Sequence, residues 1–417
     1  MFHRPKPKYL PGFVPPRPVK PVIWAGKLVL GPVMNWLYDI TDVSVPEADL
    51  QQLKSKNGQR MVLIPNHPSH GDPAVLFKLS KLAREDWFYL SNREQFDRWF
   101  GLYGRMLSMC GTYSVARGTM DMASFLTTRR LLVDAPNKLV VFAEGGNYSW
   151  NDLEAPFQEG LFKLLLIAAM EMREKRVEGP LWIQPVAIKY VYDARADRLV
   201  KDSLIRLEDA VGLEGPVPRD FRDRVLRIGG KIVAEVERNF FGKEFGSEEI
   251  TPRIIRVREE MLHRFAQAIG TATPNPDSGT LLERTRVLFD QFHRVTIEGA
   301  LPVTQYEETL FEQDILAMRS VRRQLDRLEN WAALKEGYLE GADRARRVEI
   351  LTRLEREVFQ AVYLHPKRKC EVRLGEPFDL MTCVPAEGRP AKDTARLITR
   401  ETEDRVRELL EEMRGTA

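Results

Sequence analysis

Residues Asn66 to Pro73 read NHPSHGDP, with His67 and Asp72 five positions apart and directly after the apolar run MVLIP. Asp followed by Pro starts a helix, since a carboxylate takes up free N–H groups of the first turn and Pro suits the first helical position. His67 then lies in a strand-to-helix loop, where strand ends commonly present reactive groups. On one continuous helix, residues five apart would point about 140° away from each other. Across a loop and a cap, the carboxylate can instead fold back onto the imidazole. A carboxylate on one ring nitrogen sets the tautomer and stabilises the imidazolium, so the other nitrogen can take a proton from a hydroxyl as it attacks an acyl group. The same residues also read as a capping aspartate with a loop histidine beside it.

Three further blocks carry chemistry-bearing residues. GTYSVARG (Gly111 to Gly118) ends an apolar run with Arg117, whose guanidinium can grip a phosphate with two parallel bonds or form a surface ion pair. VVFAEGGNYS (Val140 to Ser149) runs into Glu144, Gly145 and Gly146, where glycines permit close backbone approach and expose N–H groups to an anion or oxyanion. Glu144 reads equally as a helix-start charge. WIQPVAIKY (Trp182 to Tyr190) places Pro185 in an apolar run, which points to an edge or bulged strand.

These blocks need elements to hold them. Short apolar runs at Met61 to Pro65, Trp87 to Ser91, Thr112 to Ala116, Leu139 to Phe142 and Leu181 to Ile188 have the length and bulk of buried strands. Between them, Ala74 to Ala83, Trp99 to Met109, Met120 to Val133 and Gly160 to Arg173 read as helices. Such alternation implies an α/β fold with a mixed, largely parallel sheet flanked by helices. From Asp193 the chain turns to long amphipathic helix, with stripes at Phe311, Ile315, Met318, Val321, Leu325 and Leu328 and at Val348, Leu351, Leu354 and Val358. CEVRLGEPFDL (Cys370 to Leu380) reads as strand and turn before a last helix from Ala391 to Met413. That strand needs a partner, and the sheet begun at Met61 offers one. Residues 41–192 with 370–417 then form one α/β domain, 193–369 a mainly helical insertion, and 1–40 an N-terminal arm.

The arm carries six Lys/Arg before Asp39 and no acid, and seven of its first 21 residues are proline. That composition cannot form a signal-peptide core. Residues 19–38 are apolar with Trp24, Trp36 and Tyr38, but Lys27, Pro32 and Asn35 interrupt them, whereas a spanning helix needs about 20 predominantly apolar residues. They read as an interfacial helix or as a first helix on the domain's own core. The whole chain, 417 residues with 63 Lys+Arg against 60 Asp+Glu, has a net charge of +3 and no chain-wide basic field for nucleic acid. A mean hydropathy of −0.33 excludes a polytopic membrane protein. Three scattered cysteines exclude a disulfide scaffold and favour a reducing compartment.

Together and in this order, the four blocks resemble the lysophospholipid acyltransferase family, which includes the 1-acylglycerol-3-phosphate O-acyltransferases. Asn66, His67, Ser69 and Asp72 match its first block. Gly111 and Arg117 match the ends of the second, Phe142, Glu144 and Gly145 the third, and Pro185 and Val186 the fourth. The resemblance implies transfer of a fatty acyl group from acyl-CoA or acyl carrier protein to a hydroxyl of a lysophospholipid or related glycerolipid, part of phospholipid biosynthesis, without metal or other cofactor. His67 would be the base and Asp72 its orienter. Arg117, Glu144, Gly145 and Gly146 would bind the acceptor or its phosphate, and Asn66, Ser69 and Pro185 would shape the acyl pocket. The protein would be cytoplasmic and peripheral on the membrane face. Ala143 replaces the family's proline, and Gly146-Asn147 stand where Thr-Arg is usual, which removes one phosphate ligand. Two rival readings are a metal-dependent hydrolase using His67, His70, Asp72 and Glu144, and a lipid-binding homologue without turnover.

Overall fold

Met61 to Ile64 are wholly buried, and this run of bulky side chains is a strand at the middle of a mixed sheet. The computed structural model describes residues 12–116, 121–147, 149–152, 155–246, 248–280, 283–288, 291, 331, 336–385, 388 and 390–414. Two units divide the chain: Pro11–Asp193 with Lys367–Ala417, and Met1–Leu10 with Ala194–Pro366.

In the first unit the elements run α1 (Lys20–Tyr38), β1 (Ile40–Ser44), α2 (Glu47–Ser55), β2 (Arg60–Pro65), α3 (Asp72–Leu82), β3 (Phe88–Asn92), α4 (Leu102–Met109), β4 (Thr112–Val115), α5 (Met122–Val133), β5 (Lys138–Val140), α6 (Glu159–Glu174) and β6 (Leu181–Tyr192). Among the described residues the sheet has eight strands in the order β1-β7-β6-β2-β5-β3-β4, with β7 (Arg368–Leu374) and the short β8 (Phe378–Asp379) both antiparallel to β6. Every other pair is parallel. The α/β architecture is therefore that expected from the alternating runs.

Alternation along the strands sends side chains to two cores. Val62, Ile64, Ile183 and Ala187 join Phe162, Leu165 and Leu409, under α5, α6 and the last helix of this unit. Met61, Leu63, Val186 and Ile188 join Leu30, Met34, Leu53 and Leu76, under α1, α2 and α3. Helices thus cover both faces, as a parallel sheet requires.

The second unit is helical: α7 (Arg195–Ala210), α8 (Phe221–Phe241), α9 (Ile250–Ala268) and α10 (Arg344–Phe359). Val348, Leu351 and Leu354 are buried on α10, as their spacing implies. Buried ion pairs stiffen the bundle, with Arg253 gripping Glu237 by two bonds of 2.9 and 2.7 Å and Arg224 gripping Glu208 by two of 2.7 Å. The stripe from Phe311 to Leu328 lies outside the described residues. The chain then returns through β7 to α11 (Thr394–Arg414).

Several expectations need correction. β1 and α2 carry weak apolar signals and pass unnoticed in the sequence, because only pairing with β7 and packing on Leu63 make them regular. The helix expected from Trp99 begins at Leu102, since Trp99 and Phe100 adopt left-handed backbone with φ of 52° and 57°. Pro185 marks no edge: β6 is internal, flanked by β2 and β7. The proline is tolerated because its missing N–H faces the break between β7 and β8, where Gly375 N–H donates to the Pro185 carbonyl at 3.0 Å and Gln184 Nε2 donates to the Gly375 carbonyl at 2.7 Å.

Candidate active site

β2, β5 and β6 run parallel, so their carboxyl ends open on one side of the sheet, the usual place for a ligand in an α/β fold. His67 follows β2, Glu144 follows β5, and Tyr190 sits near the end of β6.

His67 Nδ1 stands 2.7 Å from Asp72 Oδ2. A carboxylate only accepts, so Nδ1 is the donor of this bond, and in the neutral ring Nε2 presents the lone pair. Among the described residues Nε2 has no hydrogen-bond partner, and the side chain keeps 15% of its surface exposed while that of Asp72 keeps 0%. Asp72 was expected to cap α3, but it makes no cap bond. Its oxygens are taken elsewhere: Oδ2 also accepts the Ser69 N–H at 2.8 Å, and Oδ1 accepts the Tyr190 hydroxyl at 2.5 Å. Three donors thus hold one buried charge, which is what its burial requires.

The ring is also held on its face, where Phe142 stacks with centroids 4.0 Å apart. Glu144, expected at the acceptor, is buried, and its Oε1 accepts the main-chain N–H of His67 at 3.0 Å, bracing the loop. Asn66, expected in the acyl pocket, is also buried. Its Oδ1 accepts the Ile188 N–H at 2.7 Å and its Nδ2 donates to the Ile188 carbonyl at 3.0 Å. Asn151 does the same for Tyr190 at 2.7 and 2.8 Å. Two asparagine side chains therefore continue the ladder along β6 beyond the end of β2.

Ser69 Oγ accepts from Arg368 Nη2 at 2.7 Å and from the Gly71 N–H at 3.2 Å, while the Arg368 guanidinium lies 4.0 Å over the Tyr190 ring. Burial alone would lower the Arg368 guanidinium, but Tyr192, Tyr190 and Asp72 outweigh it and raise it. Burial, and then the Asp72 carboxylate, push the Tyr190 phenol well above its ordinary value. The phenol is thus a permanent donor. Neither Tyr190 nor Arg368 was found from the sequence. For Tyr190 the only signal is that a buried Asp72 needs more than one donor, and Arg368 lies 299 residues from Ser69.

Gly145 has φ +71°, a left-handed conformation that favours glycine. Its N–H, expected to face an anion, donates to the Phe142 carbonyl at 3.1 Å. Gly146 is half-buried beside it. Pro185 lies inside the sheet paired with Ile64. Arg117 lies outside the described residues. His70 is exposed, and among the described residues no group of three His, Cys, Asp or Glu could hold a metal ion.

A helix-flanked α/β sheet that presents a carboxylate-oriented imidazole at its strand ends is an arrangement able to take a proton from a hydroxyl. Residues 47–189 match the family model Acyltransferase, so this stretch is an acyltransferase-family domain. No curated protein matches the chain.

Proposed function

We propose that the protein moves a fatty acyl group from acyl-CoA or acyl carrier protein to a hydroxyl of a lysophospholipid or related glycerolipid, working at the cytoplasmic face of a membrane without metal or other cofactor. His67 Nε2 takes the acceptor proton as the oxygen attacks the thioester carbonyl, forming a tetrahedral oxyanion. Collapse breaks the carbon–sulfur bond, and the departing thiolate recovers the proton from the imidazolium. Asp72 stabilises that imidazolium and holds the ring. The Gly146 N–H is the donor assigned to the oxyanion, since that of Gly145 is committed. Arg117 is assigned to an acceptor phosphate, and Ser69 and Pro185 to the walls of the acyl site.

The observation that supports this reading most is the 2.7 Å pair of His67 and Asp72 with Nε2 open, inside an acyltransferase-family domain. The test is thiol release from long-chain acyl-CoA with a panel of lysolipid acceptors. His67→Ala should lower turnover by about two to four orders of magnitude. Wild-type rates in that variant would remove His67 from the mechanism, and absence of thiol release by the wild type with every acceptor would favour the lipid-binding homologue.

A further inference from the structure

The Asp72 side chain keeps 0% of its surface exposed, and a buried charge is costly unless it is both hydrogen-bonded and paired. His67 is a cation only after it has taken a proton. A base in its working, neutral form therefore leaves Asp72 without a positive partner in direct contact, and Arg368 is placed to supply one.

Arg368 touches both of the other donors to Asp72. Ser69 gives its N–H to Asp72 Oδ2 at 2.8 Å, and its Oγ accepts from Arg368 Nη2 at 2.7 Å. Tyr190 gives its hydroxyl to Asp72 Oδ1, and its ring lies 4.0 Å from the Arg368 guanidinium stacked over it. One cation thus holds the two residues that, with the imidazole, complete the shell of the carboxylate.

The guanidinium is itself fixed. Its Nε donates to the Tyr38 carbonyl at the end of α1, at 3.2 Å. The Arg368 N–H donates to the Asp39 carbonyl at 2.9 Å, and on the other side Arg368 pairs with Tyr192 across β7 and β6. The titratable groups around it are Tyr190 and Tyr192 on β6, Cys370 on β7, Asp72 at the start of α3, and Asp39 at the end of α1, which Lys367 takes at 2.8 Å. Of these carboxylates, Asp72 is the one whose charge favours the guanidinium. Around His67 stand Asp72, on the ring, and Glu144, on the main-chain N–H.

We infer that Arg368 is a positioning residue and the standing counter-ion of Asp72. Through Ser69 and Tyr190 it keeps the carboxylate aimed at Nδ1, and by offsetting the carboxylate charge it keeps His67 Nε2 free to take a proton. This rests on the acyl-transfer reading for the use made of that proton, and it adds a residue of β7 to the site. The test is the NMR titration of the His67 Cε1 proton in the full chain without substrates, assigned by its loss in His67→Ala, alongside the pH profile of thiol release. In Arg368→Met the uncompensated carboxylate favours the protonated ring. The titration midpoint and the acid limb of kcat/KM should both move to higher pH by about half a unit to one unit, with turnover down about tenfold. Arg368→Lys keeps the cation without the planar fork, and should hold the midpoint near that of the wild type. Ser69→Ala keeps the residue 69 N–H on Asp72 and removes only the anchor of Nη2, so it should move the midpoint upward by less, and it gives the reading even where Arg368→Met fails to fold. An unmoved midpoint in Ser69→Ala and in folded Arg368→Met would overturn the inference, as would a lysine variant displaced as far as the methionine one. The midpoint is read without turnover, so a wild type that releases no thiol would end the acyl-transfer reading while the role of Arg368 is still decided.

Discussion

The hydroxyl of Tyr190 donates to Asp72 Oδ1 at 2.5 Å, across 118 residues of sequence. With Ser69 N–H on Oδ2, this bond spreads the Asp72 charge over donors other than the imidazole. In the proposed reaction Tyr190 is a positioning residue, acting on His67 through the carboxylate.

Tyr190→Phe should concentrate the Asp72 charge on the imidazolium. That favours protonated His67, so the acid limb of the kcat/KM profile should move to higher pH, by about half a unit to one unit, with turnover down about tenfold. A purely structural loss would reduce the amount of active enzyme and leave the limb in place. The pH profile of the variant decides between them.

Asn66 closes two main-chain bonds that no strand supplies. Asn66→Ala leaves the Ile188 N–H and carbonyl buried and unpaired, and should destabilise the unit by about 2–5 kcal/mol in urea unfolding. Asn66→Asp keeps the acceptor, loses the donor and adds a buried charge, so it should be at least as harmful. A shift under about 0.5 kcal/mol for the alanine variant would mean that water replaces the amide.

Burial raises the phenols of Tyr89, Tyr113 and Tyr190, and pushes Tyr103 up to about 12. In the unfolded chain phenols ionise near pH 10. The folded state then binds more protons than the unfolded one above that pH, so the contribution to stability is complete below about pH 10 and is lost as pH rises toward the folded values. The thermal midpoint should fall above pH 10, and less steeply in Tyr113→Phe. Phenolate absorbance from all tyrosines near pH 10 in folded protein would contradict this.

Much of the unit was legible because its signals are local. The runs at Met61, Leu139 and Leu181 are apolar enough to be strands in any arrangement, and a strand after so much helix, at Cys370, has to find a partner. His67 and Asp72 stood out because a loop and a helix start bring five-apart residues together through geometry that the chain carries within eight positions. By contrast, β1 is regular only through its pairing with the distant β7, α2 only through its packing on Leu63, and Pro185 reads as an edge until the break between β7 and β8 is seen.

Sequence alone therefore determined the alternation of elements, the histidine–aspartate pair and the acid-free arm, each of which depends on residues near one another in the chain. Tertiary structure alone decided what surrounds them: that Asp72 serves Tyr190 and not a helix cap, that Glu144 braces the His67 amide, and that Asn66 completes a strand. Hydrogen bonds and burial of this kind join β2, β5, β6 and β7, and no local pattern records which strands will lie side by side.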